Sequence, residues 1–82
     1  MKFIDIGGGN LVSLPRVISV VSHDSAPIRR MVQEARERSL LIDATGGRAC
    51  KAVIFADSGH AVLSYLSPEA LLKASEEAEK DE

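Results

Sequence analysis

The chain has 82 residues, 45 % of them apolar, three aromatic side chains (Phe3, Phe55 and Tyr65), one cysteine and a net charge of −2. That length holds one domain and one modest core. The lone Cys50 excludes an intrachain disulfide and is expected to be a small, partly buried residue, and no apolar run approaches the roughly 18 residues needed to cross a bilayer. The expectation is a soluble, cytoplasmic protein with no membrane partner. Its core must come from Val, Ile, Leu and Ala, which give many small contacts and few large anchors. Such a small chain commonly gains stability by assembling into a closed homo-oligomer.

In chain order, Phe3-Ile4-Asp5-Ile6 alternates as a short strand, Gly7-Gly8-Gly9-Asn10 turns the chain, and Leu11-Val12-Ser13 returns as a hairpin partner. Pro15 interrupts. Val17-Ile18-Ser19-Val20-Val21 is β-branched at four of its five positions and reads as a strand. A helix follows, with Ser25 or Asp24 as cap and Pro27 in the first turn, where a missing N–H costs nothing. Its apolar stripe is Ile28, Met31, Val32 and Ala35. The spacings Arg30–Glu34 and Glu34–Arg38 allow pairing between successive turns.

Leu40–Ala44 is the next strand candidate, Thr45-Gly46-Gly47-Arg48 a turn, and Lys51–Ala56 a central strand. Asp57-Ser58-Gly59-His60 is a compact turn before Ala61–Leu66, which should return as an antiparallel hairpin partner. Ser67 caps a second helix with Pro68 in its first turn, and Leu71, Leu72 and Ala74 are placed to dock on the sheet. The chain therefore reads as a small α+β domain, a mixed and mostly antiparallel sheet with two helices. It divides into a single domain over residues 1–75 and a flexible acidic tail over 76–82.

Charge is uneven along this order. Residues 1–68 carry eight basic and six acidic side chains, a balance of +2, and six of the eight are arginines; residues 69–82 carry two lysines against six acids, a balance of −4. The body of the domain therefore does not exclude a polyanion partner, and arginine suits forked contact with phosphate or a guanine edge.

Nothing in the pattern carries catalysis. The Gly7-Gly8-Gly9 run lacks the Lys-Ser/Thr of a nucleotide loop and precedes a strand instead of a helix, so no helix end faces an anion. His23 and His60 have no partners at metal-ligand spacing. Asp57, Ser58 and His60 crowd one turn and cannot form a directed relay. No catalytic residue, metal or small-molecule cofactor is expected.

Taken together, the runs Phe3–Asn10, Arg16–Ser22, Ser25–Met31, Leu41–Arg48 and Asp57–His60, in that order and spacing, resemble the RemA family of extracellular matrix regulatory proteins. The resemblance covers roughly residues 3–68. It implies a DNA-binding regulator without a helix-turn-helix, similar to the LytTR DNA-binding domain, that activates matrix and biofilm genes. Its subunits would form a closed ring whose repeated weak sites bind double-stranded DNA together. The residues it implies are Arg48, with Lys51 at a further basic position, Arg16 in support, and Arg29 and Arg30 as compensating cations. The second arginine of the family's basic pair is Ala49 here, and Cys50 stands beside it. That departure favours a second reading, an oligomeric scaffold or protein-binding adaptor with weak or no DNA binding.

Overall fold

A computed structural model describes residues 2–80. Its elements are β1 (Phe3–Asp5), β2 (Leu11–Ser13), a short 3-10 turn (Leu14–Arg16), β3 (Val17–Ser22), α1 (Ala26–Glu37), β4 (Leu41–Asp43), β5 (Ala52–Ala56), β6 (Ala61–Ser64) and α2 (Pro68–Lys80). Strands β1 and β2 form an antiparallel hairpin, while the other four make one sheet in the order β3-β5-β6-β4. Within that sheet β3 and β6 run antiparallel to β5, and β4 runs parallel to β6. The protein is thus a small α+β domain with a mixed, mostly antiparallel sheet, as the pattern of elements predicts. The parallel β4–β6 pair follows from α1, which carries the chain from one edge of the sheet to the other.

Period-two alternation decides how the layers stack. In β5, Ala52 and Ile54 face one side and Val53 and Phe55 the other, and β6 alternates in the same way. Val32 and Ala35 of α1 cover the Val53 side together with Ala61 and Leu63. Ile4 and Ile6 from the hairpin region and Leu71 of α2 cover the Ile54 side. Both faces of the two central strands are therefore dry, which is why they read as near-continuous apolar runs. At about 25 cal/mol per Å² of apolar surface removed from water, this two-sided burial is the main stabilising term.

The helix starts agree with the expected caps. Ser25 Oγ accepts the Ile28 amide at 3.3 Å, and Ser67 Oγ accepts the Ala70 amide at 3.1 Å. Two apolar positions depart from expectation: Met31 is half exposed, and Leu72 is 62 % exposed and not docked on the sheet. Leu71 packs into the core with Ile4 and Ile54, and the neighbouring position turns outward by the 100° of one helical step. Residues 76–80 of the expected acidic tail are helical, and Asp81 and Glu82 lie outside the described residues. The last expected strand ends at Ser64, because Tyr65 and Leu66 bend away toward the hairpin turn.

The split of charge along the chain becomes a split across the sheet. The arginine-rich α1 lies on one face, while α2, with Glu69, Glu76, Glu77 and Glu79, lies on the other.

Candidate nucleic-acid interface

The turn that carries Arg48 is built from its first residues. Asp43, the last residue of β4, accepts the Thr45 hydroxyl at 2.6 Å and the Thr45 amide at 2.9 Å. Thr45 is buried, and its carbonyl accepts the Arg48 amide at 3.1 Å. Gly46 and Gly47 between them have positive φ and open space around them, so the turn tip projects clear of the fold. These bonds hold the Asp43 carboxyl below the usual carboxylate range, the Thr45 hydroxyl contributing most and the Arg36 charge adding to it.

Arg48 is exposed, and its guanidinium lies over the ring of Tyr65, 4.6 Å from the centroid. Its side chain donates no hydrogen bond to any described residue, so its in-plane donors stay available. Lys51 follows at the mouth of β5, where its amide donates to the Ser64 carbonyl at 2.9 Å and its carbonyl accepts the His23 amide at 3.2 Å. That second bond ties Lys51 to the turn before α1. There the Arg29 guanidinium donates to the Asp24 carbonyl at 2.9 Å, and Arg30 is exposed on the next helical position. Arg48, Lys51, Arg29 and Arg30 thus share one end of the sheet, where the N-terminal end of α1 adds its partial positive charge. Asp5, Asp24 and Asp43 lie at that end too. Two of these carboxylates are committed to amides, of Gly7 and Thr45.

Arg16 stands elsewhere. It precedes β3 at the opposite end of the sheet, where its carbonyl accepts the Asp57 amide at 2.8 Å and its guanidinium reaches the Asp57 carboxylate at 3.4 Å. Lys51 and Asp57 bracket β5, a span of about 20 Å at the rise of a strand. Within one copy of the chain, Arg16 is therefore not beside Arg48. The pairs Arg30–Glu34 and Glu34–Arg38, allowed by spacing, do not close either. Arg36 donates instead to Gln33 at 3.1 Å, and among the described residues no ion pair closes within α1.

Cys50 Sγ donates to the Ala52 carbonyl at 3.3 Å, burial pushes the thiol above its ordinary value, and the side chain packs against the α1-covered face of the sheet. Ala49 is exposed beside it. Ser58 and the His60 ring share a 2.7 Å hydrogen bond inside their turn, while the nearby Asp57 carboxylate is turned to Arg16. Among the described residues there is no cluster of His, Cys, Asp and Glu able to hold a metal, and no helix long and apolar enough to cross a membrane.

One member of the site was missed in the sequence. Tyr65 reads there as an ordinary interior strand position, yet it stands just beyond β6, between the Gly7–Gly8 turn and Arg48. Only its place as the single tyrosine at a strand end marks it, and that is a weak signal.

The chain matches the family model described as extracellular matrix regulatory protein A-like, RemA-like, over residues 3–74. Relatives named as regulatory proteins are similar over about four fifths of their own length or more. One from Caldicellulosiruptor saccharolyticus is 54 % identical over 99 % of this chain and 80 % of its own. Another, from Halalkalibacterium halodurans, is 59 % identical over 84 % of this chain and 79 % of its own. A third, from Brevibacillus brevis, is 49 % identical over all of this chain and 98 % of its own.

Proposed function

The chain belongs to the RemA-like family of regulatory proteins, which are not enzymes, and from that premise we propose that it is a cytoplasmic transcriptional regulator that binds double-stranded DNA. The observation that carries this reading is the cluster of Arg48, Lys51, Arg29 and Arg30 at one end of the sheet, with the Arg48 donors unspent and the acidic helix α2 on the far face. Phosphate contacts from such cations supply affinity, and an arginine fork can also reach a guanine edge. The presenting elements are a turn, a strand mouth and the start of α1 instead of a recognition helix, in keeping with the LytTR likeness of the family resemblance. Residues 1–75 make the binding unit, and the acidic segment 76–82 is kept off the duplex by repulsion.

One copy offers only a few phosphate contacts, so useful affinity needs repetition. We place that repetition in a closed homo-oligomeric ring regulating matrix and biofilm genes. The free β3 edge supports it: Ile18 is 70 % exposed and lies between two shallow apolar grooves, one bordered by Leu72 of α2 and the other by Met31 of α1. A ring brings unlike ends of neighbouring copies together, and at such a joint Arg16 of one copy reaches the Arg48 cluster of the next.

The test is binding of promoter-length duplex DNA by the full chain at several salt concentrations. Affinity should fall steeply with salt, as counterion release requires, and Arg48→Ala should weaken binding and flatten the slope. Tight assembly with no salt-dependent DNA binding would favour the adaptor reading that Ala49 suggests.

A further inference from the structure

The Gly7-Gly8-Gly9 run reads in the sequence as a hairpin turn and nothing more. In the fold it is one side of a stack. Tyr65 Oη accepts the Gly8 amide at 2.9 Å. A Cβ placed on Gly7 would stand 2.7 Å from both Cε2 and Cζ of the Tyr65 ring, so the hydroxyl end of the ring packs directly on bare backbone. Arg48 lies over the same ring, 4.6 Å from its centroid. The glycine turn and the guanidinium thus meet on one tyrosine ring, joined across residues far apart in the chain.

We propose that Tyr65, backed by the Gly7–Gly8 turn, is a positioning residue that holds the Arg48 guanidinium flat for nucleic-acid contact. A cation over a ring face is held by the ring quadrupole while its N–H donors point outward in the plane, where a phosphate or guanine edge can meet them. An unsupported arginine on an exposed turn would sample many rotamers and lose that freedom on each contact. The hydrogen bond from Gly8 fixes the ring in turn, so the hairpin sets the angle at which Arg48 is presented. This inference rests on the DNA-binding reading for its purpose, but the stack itself is testable without DNA.

Two measurements on the full chain separate the possibilities. In NMR spectra of the free protein, the Arg48 Cδ protons should show an upfield ring-current shift that survives Tyr65→Phe and disappears in Tyr65→Leu. An unshifted Arg48 in the unmodified protein overturns the stack, whatever DNA does. In fluorescence anisotropy with a labelled duplex, Tyr65→Leu should weaken binding about two- to fivefold per site, the range of an exposed cation–π contact. Tyr65→Phe keeps the ring but loses the Gly8 hydrogen bond, so its affinity should fall between those of the unmodified chain and Tyr65→Leu. The double variant Arg48→Ala with Tyr65→Leu should be no weaker than Arg48→Ala alone, because Tyr65 acts only through Arg48. Additive losses would assign Tyr65 a general structural role and overturn the proposal. If Arg48→Ala weakens binding but Tyr65→Leu does not, positioning fails and the DNA reading stands. If Arg48→Ala is silent, the DNA reading fails while the ring-current result still decides the stack.

Discussion

The Asp43 carboxylate takes two hydrogen bonds from Thr45, 2.6 Å from the hydroxyl and 2.9 Å from the amide, and Thr45 in turn receives the Arg48 amide on its carbonyl. A β4 carboxylate therefore sets the shape of the turn that bears the leading cation. The Asp43 carboxyl is held below the usual carboxylate range. A depressed folded value means that the contribution is present at neutral pH and is lost as pH falls through that value. Because Asp43 is exposed, solvent screening keeps the contribution small. On acidification, the protection of the Thr45 and Arg48 amides against exchange, taken relative to the intrinsic rate at each pH, should fall before that of Val53 in the core. Asp43→Asn should remove that acid step; a step that survives the substitution belongs to another carboxylate.

Ser64 is the hidden polar link between the layers. Its fully buried hydroxyl donates to the Ile6 carbonyl at 2.8 Å and accepts the Leu66 amide at 3.0 Å. Ser64→Ala leaves both groups without that partner and should cost about 1–3 kcal/mol of stability in urea unfolding. Ser75→Ala removes an exposed hydroxyl that donates to the Leu72 carbonyl at 2.7 Å and should shift stability by no more than about 0.5 kcal/mol.

Gly7 and Gly9 offer a matched pair. Both have positive φ, but only Gly7 meets the Tyr65 ring; Gly9 has nothing within 4 Å of an added Cβ. Alanine at either site should cost about 1–3 kcal/mol in backbone strain. Gly7→Ala should in addition displace the ring and reproduce the DNA-binding loss of Tyr65→Leu. Equal DNA affinities for the two alanine variants would show that the ring contact does not reach Arg48.

The Arg16–Asp57 pair is exposed on both sides, with side chains 72 % and 44 % accessible. Asp57→Ala should therefore change thermal stability by less than about 1 kcal/mol. It also removes a carboxylate from Arg16, so DNA affinity at low salt should rise. A fall in affinity would place Arg16 outside the DNA contact and assign it to assembly alone.

Ile18→Asp or Leu72→Asp puts a charge on the open β3 face without touching the buried core. Light scattering should show a smaller particle, while circular dichroism stays that of a folded domain. An unchanged mass would move the subunit joint to another surface.

Local signals were legible because local chemistry causes them. Ser25, Ser67 and their prolines mark both helix starts, and the glycine turn marks the first hairpin. Alternating Val53, Ile54 and Phe55 mark a strand buried on both faces. Longer-range placement was not legible. Nothing in Leu41-Ile42-Asp43 says that it pairs parallel to β6, since that depends on the reach of α1 across the sheet. Arg16 and Arg48 carry the same chemistry in the sequence, yet the length of β5 puts them at opposite ends. Leu72 looked like a core residue because one helical stripe is wider than the sheet beneath it needs. Tyr65 acquires its role only when the hairpin folds back onto the end of β6.

The register of β3 against β5 slips between Val17 and Ser19, leaving Ile18 as an extra residue on the outer strand of the sheet. A regular, flat, apolar edge would be a template on which further strands could add without limit, the beginning of a fibre. A bulge twists the strand at that point and spoils the even row of amides and carbonyls that such growth would copy. The Ile18 side chain stands exposed on that edge, whereas endless backbone pairing is discouraged. The irregularity thus guards the outer edge of this sheet against backbone-paired aggregation.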